Sequence, residues 1–201
     1  MTQMEERVRQ LFGASIEAKI TLVDSLSTRI AEIGLRLVNC LLNDGRLLLC
    51  GNGGSAANGL HFSAAMLNHF EVERPPLPVM VLSTDASVMT GLISAGHSDQ
   101  IFARQIQALG QAGDVLLLLS TSGNADNLLQ AVNAAHERDM DVVALTGRDG
   151  GVLANHFGPE DLELRVQGET DALIREIHLF ILHCFCDLID QSLFGQLLGD
   201  A

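Results

Sequence analysis

Two short stretches carry residue types that could hold an anion. Gly51-Asn-Gly-Gly-Ser55 follows an apolar run and precedes a small-residue helical pattern, so it reads as a strand, a tight loop and a helix start. Ser120-Thr-Ser-Gly-Asn124 sits in the same setting. Each loop offers backbone N–H groups and hydroxyls at the positive end of a helix, which suits phosphate. The candidate contacts are Asn52, Gly53, Gly54 and Ser55 from the first loop, and Ser120, Thr121, Ser122 and Asn124 from the second. Gly-Asn-Gly-Gly alone is equally compatible with a bare turn; a second hydroxyl-rich crossing that can converge on the same small ligand favours a site. There is no Lys of the Walker type, which argues against a nucleoside triphosphate. The first loop is not G-x-G-x-x-G and no ribose-binding acid follows it, which argues against a dinucleotide. A neutral donor cradle suits a sugar monophosphate.

The elements that must position these loops alternate. Apolar runs at Leu47–Cys50, Val79–Leu82, Val115–Leu119, Val142–Leu145 and Leu162–Val166 read as strands. The run at 115–119 is unbroken, as in a strand covered on both faces. Helical patterns fall between them, at Ser55–Asn68, from Ser83 to about Ser94, at Gln100–Leu109, Asp126–Arg138, a short stretch at Gly151–Asn155, and a long segment from about Thr170 to Phe194. Pro75, Pro76 and Pro78 mark a loop. The alternation predicts an α/β fold with a doubly wound, five-stranded parallel sheet and ligands at the strand C-terminal ends. Residues 4–42 carry apolar positions at helical spacing, with Ser25, Ser27 and Thr28 in the middle. These cap-type residues predict two helices with a break near 24–28. The expected organisation is one domain: helices over 1–44 used in self-association, an α/β core over 45–194, and a tail over 195–201.

Composition narrows the function. The chain has 201 residues, is 47% hydrophobic, and carries a formal net charge of −13. That charge argues against direct nucleic-acid binding and against an anionic membrane surface. No membrane-spanning or signal-peptide pattern is visible, so the expected compartment is the cytoplasm. Cys40, Cys50, Cys184 and Cys186 sit in apolar contexts without a C-x-x-C, and are expected to be buried free thiols. Trp and Tyr are absent.

The segments GNGGSAANGLHF, LLLLSTSGN and VVALTGRDGG resemble the sugar isomerase (SIS) domain family. Within it, the chain is similar to the subgroup holding the phosphoheptose isomerases and the DnaA initiator-associating protein. The resemblance covers nearly the whole chain. It implies a homotetramer and a phosphosugar pocket lined by Ser55, Ser120, Thr121 and Ser122. A further hydroxyl that often ends the second loop is Ala125 here.

Aldose–ketose isomerisation needs a base, an acid and a group that stabilises an enediolate. The resemblance places two histidines of the isomerase set at His61 and His183. It places Ala65 where that set has Glu, Arg175 where it has Gln, and Ala172 where it has Asp. His69 stands at an Arg position, and Ser94-Ala95 replaces an Asn-Asp pair. Two imidazoles remain without the carboxylates, and losing a catalytic base costs on the order of 10²–10⁴ in rate. Two His beside an Arg make a poor zinc site, so no cofactor is expected. Glu176 and Asp171 do not substitute: the first points away from the Arg175 face, and the second is placed for an i,i+4 ion pair with Arg175.

On this reading no catalytic set is intact. The resemblance then implies a non-catalytic adaptor that binds the DnaA replication initiator, with Leu193 and Phe194 as the partner anchor. The alternatives are a phosphoheptose isomerase acting on sedoheptulose 7-phosphate and a phosphosugar-sensing domain.

Overall fold

The computed structural model describes residues 2–198. A long helix, α1 (Gln3–Leu42), leads into β1 (Leu47–Gly51) and α2 (Gly54–Leu67). Then come β2 (Val79–Val81), α3 (Ala86–Ser94), a 3₁₀ turn (Ser98–Gln100), α4 (Ala103–Leu109) and β3 (Val115–Leu119). After β3 follow α5 (Asp126–Glu137), β4 (Asp141–Gly147), a 3₁₀ turn (Val152–Asn155), β5 (Leu162–Val166) and α6 (Asp171–Leu198). The five strands form one parallel sheet in the order β2-β1-β3-β4-β5.

Strands buried on both faces can be apolar throughout, and β1 and β3 are. Alternate residues go to opposite sides. Leu47, Leu49, Val115 and Leu117 pack with Ile33 and Leu37 of α1, Phe62 of α2, and Ile177 and Phe185 of α6. Leu48, Cys50, Leu116 and Leu118 pack with Ile106 of α4 and with Leu128 and Val132 of α5. The chain leaves β1 through α2 toward β2, and leaves β3 through α5 toward β4 on the other face. The strand order therefore reverses between β1 and β3, which opens a crevice at their C-terminal ends. Register places Gly51 beside Leu119, so the two candidate loops start side by side.

The N-terminal segment differs from expectation. It is one helix of 40 residues, with no break near 24–28. The Ser25 and Ser27 hydroxyls donate back to the carbonyls of Leu22 and Val23 inside the helix. That back-bonding satisfies residues that elsewhere cap. The true cap is Thr2, whose side chain accepts from the Glu5 N–H while the Glu5 carboxylate accepts from the Thr2 N–H. The second half of α1 packs on the sheet, but Val8, Leu11, Phe12, Ile16, Ile20 and Val23 in the first half are exposed. The last helix runs to Leu198, past the Phe194 boundary; residues 199–201 lie outside the described residues.

Candidate functional site

The first loop turns on Gly53, whose φ of 55° lies in the left-handed region that favours glycine. The loop hands over to α2 with Gly53 at the N-cap and no side-chain cap. Helix α5 likewise starts at Ala125 without a side-chain cap. Helix α1 is capped by Thr2, α3 by Asp85 and the start of α6 by the Thr170 hydroxyl, while the short α4 also starts without a side-chain cap. The two helices that face the β1–β3 crevice thus keep their N-terminal dipole ends without a side-chain acceptor, which favours an incoming anion.

The second loop is held by contacts far apart in sequence. Gly123 has a φ of 67°, and a Cβ there would collide with the Gly150 carbonyl. The Ser120–Asn124 loop therefore packs directly on the Gly147–Gly151 loop after β4, which gives the TGRDGG segment its structural role. The Ser120 hydroxyl accepts from the Gly123 N–H at 2.9 Å, and the Asn124 Oδ1 accepts from the Val152 N–H at 3.0 Å. Asn52 of the first loop exchanges two hydrogen bonds, each 2.9 Å, with Asn127 of α5. Of the eight expected ligand contacts, Asn52, Ser120 and Asn124 thus brace the loops. Ser55 and Ser122 remain as the hydroxyls best placed for a ligand, with the Thr121 hydroxyl shared with the Asp171 carboxylate, beside the backbone of Gly53 and Gly54.

Helix α6 packs along α2 and brings the other candidates in. Gly54, Asn58, His61 and Ala65 share one face of α2, since they repeat at helical spacing. That face meets α6. Asn58 Nδ2 donates to the Arg175 carbonyl at 2.9 Å, and the His61 and His183 Nε2 atoms are 2.9 Å apart. At that distance one nitrogen donates to the other, and the tautomers of the two rings set which is which. Burial holds His183 below the ordinary imidazole range, His61 lowers it further, and Glu71 opposes both. Phe70 covers His183, with ring centroids 5.6 Å apart.

Asp171 departs from expectation. It pairs with Arg148 at 2.5 Å and not with Arg175. Arg148, in the loop after β4, also donates to the Thr121 carbonyl at 3.1 Å. The Arg148 guanidinium holds the Asp171 carboxyl below the usual carboxylate range, with a smaller contribution from the Thr121 hydroxyl. Arg175 runs instead across the start of α2: a Cβ on Gly54 would stand 2.7 Å from its Cδ. Glu176 points away as expected, pairing with Lys19 at 2.7 Å and Ser15 at 2.5 Å on α1. Ala65 and Ala172 offer no proton-carrying group.

The zinc positions that the resemblance implies are His61, Ala65, Arg175 and His183. An alanine and a guanidinium donate no electron pair to a metal, and the two imidazole Nε2 atoms engage each other. Among the described residues no three His, Cys, Asp or Glu side chains are grouped to hold a metal. This donor set does not fit a zinc ion.

The model of the SIS domain matches residues 12–147. The chain belongs to the SIS domain family. It is 50% identical over 192 residues to a phosphoheptose isomerase from Chromohalobacter salexigens, covering 96% of this chain and 98% of that protein. A solved phosphoheptose isomerase from Francisella tularensis superimposes with a TM-score of 0.91 at 44% identity, over 95% of this chain and 100% of that one. One from Neisseria gonorrhoeae gives 0.89 at 43%, over 94% and 100%. This SIS domain therefore keeps the expected fold.

These comparisons overturn one expectation. The reading as an adaptor that binds the DnaA initiator in replication initiation does not stand, because the near-full-length relatives are phosphoheptose isomerases. Closeness to the DnaA initiator-associating protein goes with it. At the supposed anchor, Leu193 and Phe194 are half-buried and pack against the core, with the Arg74 guanidinium 5.9 Å from the Phe194 ring. No helix among the described residues is long and apolar enough to cross a membrane.

Proposed function

We propose that this SIS domain binds a seven-carbon ketose phosphate and interconverts it with the aldose, the reaction named for its phosphoheptose isomerase relatives. The observation that carries the reading is the α2–α6 seam. The uncapped start of α2 at Gly54 and the hydrogen-bonded His61–His183 pair lie along one helix face, which supports a phosphate at one end and proton transfer at the other. His61 lies seven helical steps beyond Gly54, a rise of about 10 Å. An extended chain from a terminal phosphate to the first two carbons spans a comparable length.

In this arrangement Ser55, Thr121 and Ser122 and the helix starts bind the phosphate and fix the register of the sugar. The His61–His183 pair carries the proton. When the Nε2–Nε2 contact opens onto the substrate, the freed nitrogen takes a proton from the hydroxymethyl carbon of the ketose and returns it to the neighbouring carbon, while the other imidazole carries the proton of the first hydroxyl to the carbonyl oxygen. Holding His183 below the ordinary imidazole range keeps an acceptor available at neutral pH. Self-association through the exposed stripe of α1 belongs to the same proposal, supported by the exposed apolar residues on that half-helix, Phe12, Ile16 and Ile20 among them.

A second reading, phosphosugar binding without turnover, is favoured by one observation. Ala65 and Ala172 leave the histidines as the only proton carriers that the resemblance places in the site. Incubation with sedoheptulose 7-phosphate, followed by aldose formation and by calorimetric binding, separates the two. Turnover supports the isomerase; binding with no aldose supports the sensor.

A further inference from the structure

The anion site contains a cation that the Ser and Gly motifs do not announce. We propose that Arg175 is the charged phosphate ligand of the cradle. This rests on the sugar-phosphate reading above and specifies its recognition chemistry, a phosphate dianion held by a guanidinium.

Three observations place it there. Arg175 lies in the first turns of α6, and its carbonyl is tied to Asn58 of α2, so the backbone that carries it is fixed against the cradle helix. Its side chain crosses the start of α2, where a Cβ on Gly54 would stand 2.7 Å from Cδ and 2.9 Å from Nε. The glycine is thus what admits the guanidinium, and Gly54 itself has an ordinary negative φ that other residues could adopt. Among the described residues, no carboxylate lies within ion-pair distance of Arg175. Asp171, on the same helix, is committed to Arg148 at 2.5 Å and acts on Arg175 only at longer range, outside ion-pair distance. In a chain of net charge −13, an arginine laid over an uncapped helix start without a carboxylate partner is a position kept for a mobile anion.

Guanidinium and phosphate match in shape as well as charge, so the pair can form two parallel hydrogen bonds. A lysine would supply the charge without the fork. The site therefore selects phosphorylated over free sugars by charge, and the hydroxyls of Ser55, Thr121 and Ser122 add hydrogen bonds to the same phosphate.

The test is calorimetric titration of the whole chain with sedoheptulose 7-phosphate, inorganic phosphate and unphosphorylated sedoheptulose. Arg175→Gln is expected to weaken both phosphate-bearing ligands by about 10- to 100-fold, the range of a charged hydrogen-bonded contact, and to leave the free sugar unchanged. Arg175→Lys is expected to fall between. Gly54→Ala keeps the charge but displaces it, and is expected to weaken phosphate binding while the thermal midpoint stays near wild type. Wild-type affinity for phosphate in Arg175→Gln and Gly54→Ala would overturn the assignment and leave the cradle standing. Failure of the wild-type chain to bind either phosphate-bearing ligand would overturn the cradle, and this assignment with it.

Discussion

Single side chains decide the electrostatics of this molecule. His178 is fully buried, with Nε2 at 3.0 Å from the Thr146 carbonyl and Nδ1 without a partner. Burial pushes it down to about 4. The folded value lies below the unfolded one, so its contribution is complete above about pH 6.5 and is lost as pH falls toward 4. The slope in that window approaches roughly 1.4 kcal/mol per pH unit. Thermal unfolding across pH 7 to 4 is expected to show this loss, and His178→Gln to flatten it; equal slopes would assign the acid sensitivity elsewhere. At this scale the sequence showed residue types but not orientations. The two loops that carry Ser55 and Ser122 were legible as strand-to-helix turns because strand, glycine and hydroxyl lie together in the chain. The Asn52–Asn127 pair, the Arg148–Asp171 pair and the Arg175–Gly54 contact join residues tens of positions apart, and no local pattern encodes them. From the sequence Arg175 reads as a lost catalytic position, because spacing shows where a residue falls on a helix but not where its side chain points.

Elements set how firmly the seam is held. Arg74, in the loop before β2, is almost wholly buried. It donates to the Asp190 carboxylate at 2.8 Å and to the carbonyls of Ala65 and Met66 at the end of α2. One guanidinium therefore ties the C-terminal end of α2 to α6, as the His61–His183 contact does midway. Breaking a buried pair leaves an uncompensated charge, and Asp190→Ala is expected to cost about 3–5 kcal/mol in denaturant unfolding. A loss below about 1 kcal/mol would show that the helix end does not depend on the pair. The strands were legible because both faces are covered, which makes β1 and β3 unbroken apolar runs. The break expected in α1 was not there, because Ser25 and Ser27 bond inside the helix and their cap propensity goes unused. The strand order was not legible either, although the doubly wound class was; it follows from how helices of different faces pack.

For the whole molecule, losing carboxylates argues against one efficient chemistry but is not evidence for a partner. That is why the adaptor reading failed while the fold reading held. The exposed apolar half of α1 gives a firmer whole-molecule expectation. Sedimentation is expected to show a self-associated species, and Phe12→Glu with Ile16→Glu to shift it to monomer; a wild-type monomer at micromolar concentration would contradict this. The central claim is that a sugar phosphate held in the cradle is isomerised by the histidine pair. The direct measurement is aldose formation from sedoheptulose 7-phosphate by the wild-type chain, His61→Ala and His183→Ala at neutral pH. Turnover in the wild type that drops at least a hundredfold in both variants is the expected result. No turnover by the wild type, or turnover that survives in both variants, would contradict the account.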